Sequence, residues 1–482
     1  MNTTQSRRSF LKSTVVGAGA LVAARVFGAP AILPNRSPSS QLRIAVIGCG
    51  GRGTSSHVPA AAAERLVALV DPDDKGLAKA LKKAGSQNKI RTFSDYRKLF
   101  DAMGKELDAV FIATPNYHHA LPALMAMQRG IGVYVEKPLT YTIGEARELA
   151  AAAQKYKVAT QMGNQGHSSE HYRRLCEYIW AGAIGNVTEV HHWCNRSNGG
   201  VGPRPPPAPV PDGLHWDEWI GPAPYRDYHP DSVKVEHGKT KIVPLHPHEW
   251  HNWHDFGNGS LGNMGCHIMD GAFWALKVEH PTSIVVEEMA GGSAERYPIG
   301  TRIRWDVPAR GAMPPVKIYW WDGKRTGIKN AGSDAEDTAD SVSKTARNRP
   351  PLVEKLEKEY GRDFGGNGTF YIGDKGLMYT GCYGEGVRII PEDKHKAFPM
   401  PPASIPRIKG SHFGDFIRAC KGGPPACSAF DYSARLTEFA LLGCLAIKAG
   451  PGKKIEWDGQ QCTNLPEINR FLNRQNRAGW QA

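Results

Sequence analysis

The chain has 482 residues, a formal net charge of +13, 41% hydrophobic and 22% charged residues. That composition belongs to a soluble globular protein of two domains or one large α/β assembly with insertions. The positive charge fits a solvated surface able to attract acidic glycans or cell-envelope polymers, and without a basic run interleaved with aromatics it argues against nucleic-acid binding. The chain opens with Ser6-Arg7-Arg8-Ser9-Phe10-Leu11-Lys12, the pattern of a twin-arginine export signal. An apolar stretch of small residues, Thr14 to Phe27, and a cleavage-like Ala29-Pro30-Ala31 follow. That stretch is short of the about 20 residues of a membrane span, and no Cys lies near its end, so no stable membrane anchor is expected. Residues 1–31 are read as the signal and 32–41 as a Pro/Ser linker. The expected location is periplasmic or otherwise exported, with the translocase as a passing partner.

From Arg43 the pattern turns to alternating strand and helix. Arg43 to Ile47 reads as a strand, and Gly48-Cys49-Gly50-Gly51-Arg52-Gly53 as the turn after it. An Ala-rich helix runs to Ala63, and a second strand, Arg65 to Val70, ends in Asp71, 18 residues after Gly53. G-x-G-x-x-G in a βαβ unit, with an acid about 20 residues on, is the dinucleotide fingerprint. Gly48 permits the tight turn, Gly50 lets a pyrophosphate approach the backbone beside Gly51, and Gly53 packs helix on strand. The helix start offers N–H groups and positive dipole to the phosphates. Asp71 can accept hydrogen bonds from the adenosine ribose and repel a 2′-phosphate, which selects NAD; Arg52, beside the turn, leaves NADP open.

Helices over 75–84, 95–103, 118–129 and 143–156 then alternate with strands over 90–93, 108–113, 132–135 and 158–162. Six strands complete a doubly wound parallel Rossmann sheet over residues 42–165. Residues 166–482 change character. Strands with alternating polarity over 187–194, 283–289, 316–321 and 368–372 predict an α+β domain with a large, mostly antiparallel open sheet for substrate binding and oligomerisation. A long Pro/Trp/His loop spans 195–263, and helices fall within 410–450. The density of Trp and His in that loop argues against disorder. The stretch 331–347 is polar. Nine cysteines without a C-x-x-C give no readable connectivity.

Three constellations carry chemistry. Thr114-Pro115-Asn116 and Glu136-Lys137-Pro138 follow the fourth and fifth strands at their carboxyl ends, where such sheets bind ligands. Lys137 there reaches the nicotinamide end of a dinucleotide, or is simply a solvated strand-end lysine. A Gly-rich run, Asp255 to Asp270, enters a helix with His267 at its start and Asn263 four residues before it. His267 there is a general base or a satisfied core histidine. The run His246 to His254 invites a metal reading, but its spacing and its tryptophans fit a sugar-binding loop better, and no metal site is assigned.

On these residues the chain resembles the Gfo/Idh/MocA oxidoreductases, the glucose–fructose oxidoreductase and inositol dehydrogenase family. The carriers are Gly48-Cys49-Gly50-Gly51-Arg52-Gly53, Thr114-Pro115-Asn116 with His119, Glu136-Lys137-Pro138, and Gly265-Cys266-His267 with Asp270. Trp216-Asp217-Glu218-Trp219-Ile220-Gly221-Pro222 and the ending Leu436 to Asp458 resemble its exported branch. The resemblance implies that Lys137 polarises or deprotonates the reacting hydroxyl beside the nicotinamide, with Pro138 cis, and that His267 is its acid–base partner. It implies that Glu136 contacts the nicotinamide riboside, and that Asn116, His119, Asn164 and Gln165 line the cofactor groove. It also implies a homo-oligomer, dimer or tetramer. Much of the family has Asp where this chain has Asn263, so Asn263 becomes a substrate-orienting group. From loop position Trp193, Arg196, His254 and Asn263 are the candidate substrate contacts.

The sequence therefore predicts an exported NAD(P)-dependent oxidoreductase acting on a sugar or glycoside with tightly bound cofactor, because no free nicotinamide pool is known outside the cytoplasm. The alternative is a redox-neutral NAD-dependent glycoside hydrolase working by oxidation, elimination, hydration and reduction. A non-catalytic sugar-binding protein would be expected to lose Lys137 or the glycine turn, and both are present.

Overall fold

The computed structural model describes residues 41–85, 89–236, 239–324 and 347–482. The export signal, the linker up to residue 40 and nearly all of the polar stretch 331–347 lie outside the described residues.

In the first half β1 (Arg43–Ile47), α1 (Val58–Ala62), β2 (Arg65–Val70), α2 (Asp74–Ala84), β3 (Arg91–Phe93) and α3 (Tyr96–Met103) alternate. They continue through β4 (Ala109–Ile112), α4 (Ala120–Gln128), β5 (Gly132–Val135), α5 (Ile143–Tyr156) and β6 (Thr160–Met162). The strands form a parallel sheet in the order β3-β2-β1-β4-β5-β6. Every residue of β4 and β5 is buried, as helices on both faces require of central parallel strands. The strand order reverses between β1 and β4, which opens a crevice at their carboxyl ends. Helix α5 begins on a capping box: the Thr142 hydroxyl accepts from Glu145 N while the Glu145 carboxylate accepts from Thr142 N.

The second half runs α6 (Glu170–Trp180), β7 (Val187–Cys194), α7 (Trp216–Ile220), β8 (Ser232–Glu236), β9 (Lys239–Val243), α8 (Cys266–Ile268) and α9 (Asp270–Ala275). After these come β10 (Ser283–Ala290), β11 (Gly300–Val307), β12 (Val316–Gly323), α10 (Pro351–Tyr360), β13 (Gly368–Gly373), β14 (Gly376–Thr380) and β15 (Arg388–Ile390). The chain closes with α11 (Glu392–Ala397), α12 (His412–Cys420), α13 (Phe430–Ala449) and β16 (Ile455–Glu456). An eight-stranded sheet, β15-β14-β13-β7-β12-β11-β10-β16, forms with every neighbouring pair antiparallel except β12 and β7. The fold is thus the expected α/β Rossmann half followed by an α+β half with a mostly antiparallel sheet.

Two packing features position the site. Helix α13 is buried between the sheets: Gly443 has no room for a Cβ against Leu261 and Trp305, and Trp305 donates its indole N–H to Phe439 O at 3.1 Å. No described helix is long and apolar enough to cross a membrane. The long loop is ordered by an aromatic core of its own, built from Tyr117, Trp216, Trp219, Trp250, Trp253 and Phe256 with their neighbours. Such a cluster supplies apolar burial that the loop's few strands do not.

Candidate active site

A cleft of about 970 Å³, its open mouth included, lies at the β1/β4 crevice and is lined by Gly48, Gly50, Gly51, Asp71 and Thr114. Gly48 takes φ +87°, and a Cβ there would meet the Ala113 carbonyl carbon at 2.6 Å. A Cβ on Gly53 would meet Gly48 O at 1.9 Å, so only glycine closes the turn against the helix. Gly50 and Gly51 have open space where a side chain would stand. The first helical hydrogen bond runs from Thr54 N to Gly50 O, so the N–H groups before it lie free of the helix ladder. Thr114 Oγ1 and Asn116 Oδ1 are buried without a hydrogen-bond partner among the described residues. Open glycines, a helix start and orphaned polar atoms around one crevice fit a dinucleotide.

The Asp71 carboxylate does two jobs. One oxygen accepts from Cys49 N at 2.6 Å, the other from Asp73 N at 2.9 Å, and the group still lines the cleft. Burial raises its pKa against those stabilising bonds. Asp73, next but one, caps α2 and lies 3.2 Å from His246. Arg52 lines the same cleft, with Nε 3.4 Å from Glu136 Oε1 at the end of β5.

After β5 the Lys137–Pro138 peptide is cis. Lys137 Nζ donates to Asn263 O at 2.5 Å and to Asn263 Oδ1 at 3.1 Å. Asn263 is held in turn, its amide donating to Asn198 Oδ1 at 2.9 Å. Burial lowers the Lys137 pKa, opposed by the Glu136 charge. His267 lies one helical turn beyond Asn263; its Nδ1 is buried without a partner, and its ring meets Tyr383 edge-on at 5.0 Å. Burial, with Lys137 and Arg52 adding positive charge, holds this imidazole well below its ordinary pKa. Arg196 contributes to the same field, acting on both Lys137 and Tyr383. A lysine with a depressed pKa beside a neutral imidazole can take a proton from a hydroxyl and give it back.

Around this pair the remaining expected site residues divide. Glu136 is the hub of a buried cluster: Arg52 and His57 approach its Oε1 at 3.4 Å, and Gln165 donates to it at 3.1 Å. Burial alone would raise the Glu136 pKa, but His57, Arg52 and Lys137 together bring it below the usual value. His119 places its ring nitrogens 2.7 Å from Pro138 O and 2.9 Å from Thr114 O, so it ties the β4 and β5 loops together instead of opening into the groove. Asn164 is likewise spent on structure: it donates to Asp270 Oδ2 at 3.0 Å and accepts from Ser428 Oγ at 2.6 Å. Asp270 also contacts His167 at 3.0 Å and accepts from Tyr432 at 2.5 Å, a buried network that anchors α9, directly after the short helix bearing His267.

Two expected substrate contacts are corrected. Trp193 packs in a separate apolar cluster with Phe370, Phe364 and Trp321, its indole N–H on Gly365 O at 3.2 Å. The strand alternation turns it away from the cleft. His254 packs on the Tyr297 ring at 4.1 Å, and burial brings its pKa down to about 3. The loop instead sends His251 into the cleft, three positions earlier, together with Trp219, His246, His248, Trp250 and, from near the end of the chain, Trp480. Trp-His pairing signalled a ligand loop, but the register within it was not readable. Among the described residues no group of three or more His, Cys, Asp or Glu is placed to hold a metal ion.

These residues roof the crevice. Asp74 N donates to Gly213 O at 2.9 Å, His215 N to Pro72 O at 2.8 Å, and His246 Nε2 lies 3.2 Å from Asp73 Oδ2. Trp219 O receives the Tyr117 hydroxyl and approaches His118 Nε2 at 2.9 Å. Arg97 stacks over Trp480 at 3.6 Å and donates to Gly479 O at 2.7 Å.

Comparison with known proteins gives two family-model matches: an oxidoreductase family NAD-binding Rossmann fold over residues 42–164, and its C-terminal alpha/beta domain over 190–301. The rhizopine catabolism protein MocA of Rhizobium meliloti is 34% identical over 148 residues, 31% of this chain and 45% of that protein. A glycosyl hydrolase family 109 protein of Solibacter usitatus is 32% identical over 197 residues, 38% of this chain and 44% of that protein. The chain thus spans less than half the length of these curated relatives. Among solved structures, aldose-aldose oxidoreductase from Caulobacter crescentus, complexed with glycerol, superposes with a TM-score of 0.53 over 86% of this chain and 100% of that one, at 16% identity. At that identity the likeness is one of fold.

Proposed function

The chain belongs to the Gfo/Idh/MocA oxidoreductase family, and from that premise we propose an exported, NAD-dependent enzyme that oxidises or reduces a hydroxyl-bearing carbon of a sugar or glycoside and keeps its cofactor bound. The observation that carries this reading is Lys137 Nζ fixed on Asn263, one helical turn from the unpartnered Nδ1 of His267. Bound in the cleft, nicotinamide supplies a hydride acceptor and donor. Lys137 holds the substrate hydroxyl and takes its proton when the carbon is oxidised. His267, uncharged, relays that proton or returns it. Asn263 fixes the amine geometrically without the charge of a carboxylate. The glycine turn and the helix start hold the pyrophosphate, and Asp71 the adenosine ribose. Export rests on the twin-arginine pattern at Arg7-Arg8, with the translocase as its passing partner; assembly as a dimer or tetramer belongs to the same proposal.

The roof over the crevice favours one second reading, redox-neutral glycoside cleavage. A cofactor that does not leave must return to its starting state within each turnover. In that course a new ketone acidifies the neighbouring C–H, the glycosidic group leaves, and water adds before the carbon is reduced again. The similarity to a family 109 glycosyl hydrolase supports it.

The test is made on protein purified without added nucleotide. The expected outcome is stoichiometric NAD released on denaturation, identified by mass, with native protein acting on members of a panel of free sugars and aryl glycosides. Cleavage of an aryl glycoside without net NADH selects the second reading. NADH accumulating from a free sugar with exchangeable cofactor selects a plain dehydrogenase. Protein that binds no dinucleotide and turns over nothing overturns both.

A further inference from the structure

His251 has no role in the chemistry proposed above, yet it lines the cofactor cleft. It is 6% exposed, and neither ring nitrogen has a hydrogen-bond partner among the described residues; Nδ1 is fully buried. A buried imidazole left unpaired is costly, so such a group calls for a ligand. The ring is held rigidly for one. It stacks on Trp250 at 3.7 Å, and the indole N–H of Trp250 is tied to Pro247 O at 2.8 Å. A Cβ on Gly257 would stand 2.6 Å from His251 Cα, so the backbone cannot shift toward it. Next along the chain, Asn252 donates to Asp231 at 3.1 Å and to Glu249 at 2.8 Å.

The charges around it decide the ligand's chemistry. His248, Lys137, His119 and Arg196 are the groups whose fields reach it, and with burial they disfavour the protonated ring. A neutral imidazole, one nitrogen a donor and the other an acceptor, matches a hydroxyl, which is both.

We propose that His251 is a hydroxyl-binding residue of this cleft, hydrogen-bonding a polyol hydroxyl beside the carbon that Lys137 serves. The hydroxyl comes from the nicotinamide ribose or from the sugar itself. The inference rests on the functional reading above, and it makes His251 a positioning group rather than a proton carrier.

The variant His251→Phe keeps the ring stacked on Trp250 and removes both nitrogens; His251→Gln is the second variant should the first not fold. Both are compared with wild-type holoenzyme for thermal midpoint, NAD release rate, and KM against kcat. If the partner is the ribose, NAD release accelerates about tenfold or more at an unchanged thermal midpoint of the NAD-stripped protein. If it is the sugar, NAD is retained and KM rises about tenfold to a hundredfold, with kcat changed far less. Retained NAD together with KM and kcat within twofold of wild type overturns the proposal. If wild-type protein turns over no sugar, the functional reading has failed; NAD release alone then decides, and an unchanged rate overturns the proposal.

Discussion

Lys137 and Asn263 form the pair on which the proposed chemistry turns. An amide oxygen 3.1 Å from Nζ orients the amine without adding a charge that would favour its protonated form. Replacing Asn263 by Asp adds that charge. The Lys137 pKa should rise, the acidic, rising limb of kcat should move up by about one pH unit or more, and activity at neutral pH should fall; pH–rate profiles of the two proteins check this. Lys137→Met should lower kcat by about 10²- to 10⁴-fold while NAD content stays unchanged. Because burial holds His267 well below its ordinary pKa, it stays neutral through the range in which an exposed histidine titrates. No loss of activity between pH 7 and pH 6 should therefore trace to His267, which a profile on His267→Gln, compared with wild type over that window, would reveal. At this scale the sequence was readable where a motif fixes position: Gly48, Gly50 and Gly51 line the crevice, and Lys137 is hydrogen-bonded to Asn263, four residues before His267. It named His254 and missed His251 because period-based reasoning has no purchase inside a loop held by its own tryptophans.

Among the elements, helix α6 carries a lock that acid should open. Glu177 accepts from Arg407 at 2.5 Å and 2.8 Å and from Ser404 N and Ile405 N at 2.8 Å and 3.2 Å, pinning the segment before α12 onto the helix. These bonds, led by Arg407, hold its pKa down to about 2, from 4.5. A carboxylate depressed by folding contributes stability above its unfolded pKa and loses it as pH falls toward the folded value. The contribution should be intact above pH 5 and gone near pH 2. Thermal midpoints across that interval should fall less steeply in Glu177→Gln, which lacks the titrating group, than in wild type. The Rossmann elements were legible because buried parallel strands are short apolar runs and Asp and Thr caps mark the helices that follow. Elsewhere the signal was weaker. Strand β11 puts Arg302, Arg304 and Asp306 on its outer face and pairs them with Glu287 and Glu288 or with one another, so a strand of the sheet reads as a polar stretch. Hairpin β8–β9 pairs only with itself, and β16 is two residues long; neither leaves a periodic trace.

Taken whole, the molecule encloses its cofactor with parts distant in sequence. Trp480 and the Trp216–Trp253 loop close over strands that end at Asp71 and Thr114. Trp480→Ala should leave the fold intact and speed NAD release about tenfold, read by the loss of protein-bound NAD after rapid dilution. Stripping NAD should lower the thermal midpoint, and re-adding it should restore the midpoint in a concentration-dependent way. Helix α13 has a consequence of another kind. The open edge of the Rossmann sheet is finished by residues from the far end of the chain: Met162 N donates to Ser428 O at 3.0 Å, Phe430 N to Thr160 Oγ1 at 3.2 Å, Leu139 N to Thr437 Oγ1 at 3.1 Å, and Gln161 to His412 O at 2.6 Å. A nascent chain that has delivered β1 through β6 still lacks the helix against which β6 and the Lys137 loop settle. The nucleotide-binding half, though first off the ribosome, is therefore completed last, and a finished cofactor site certifies that translation has passed residue 449.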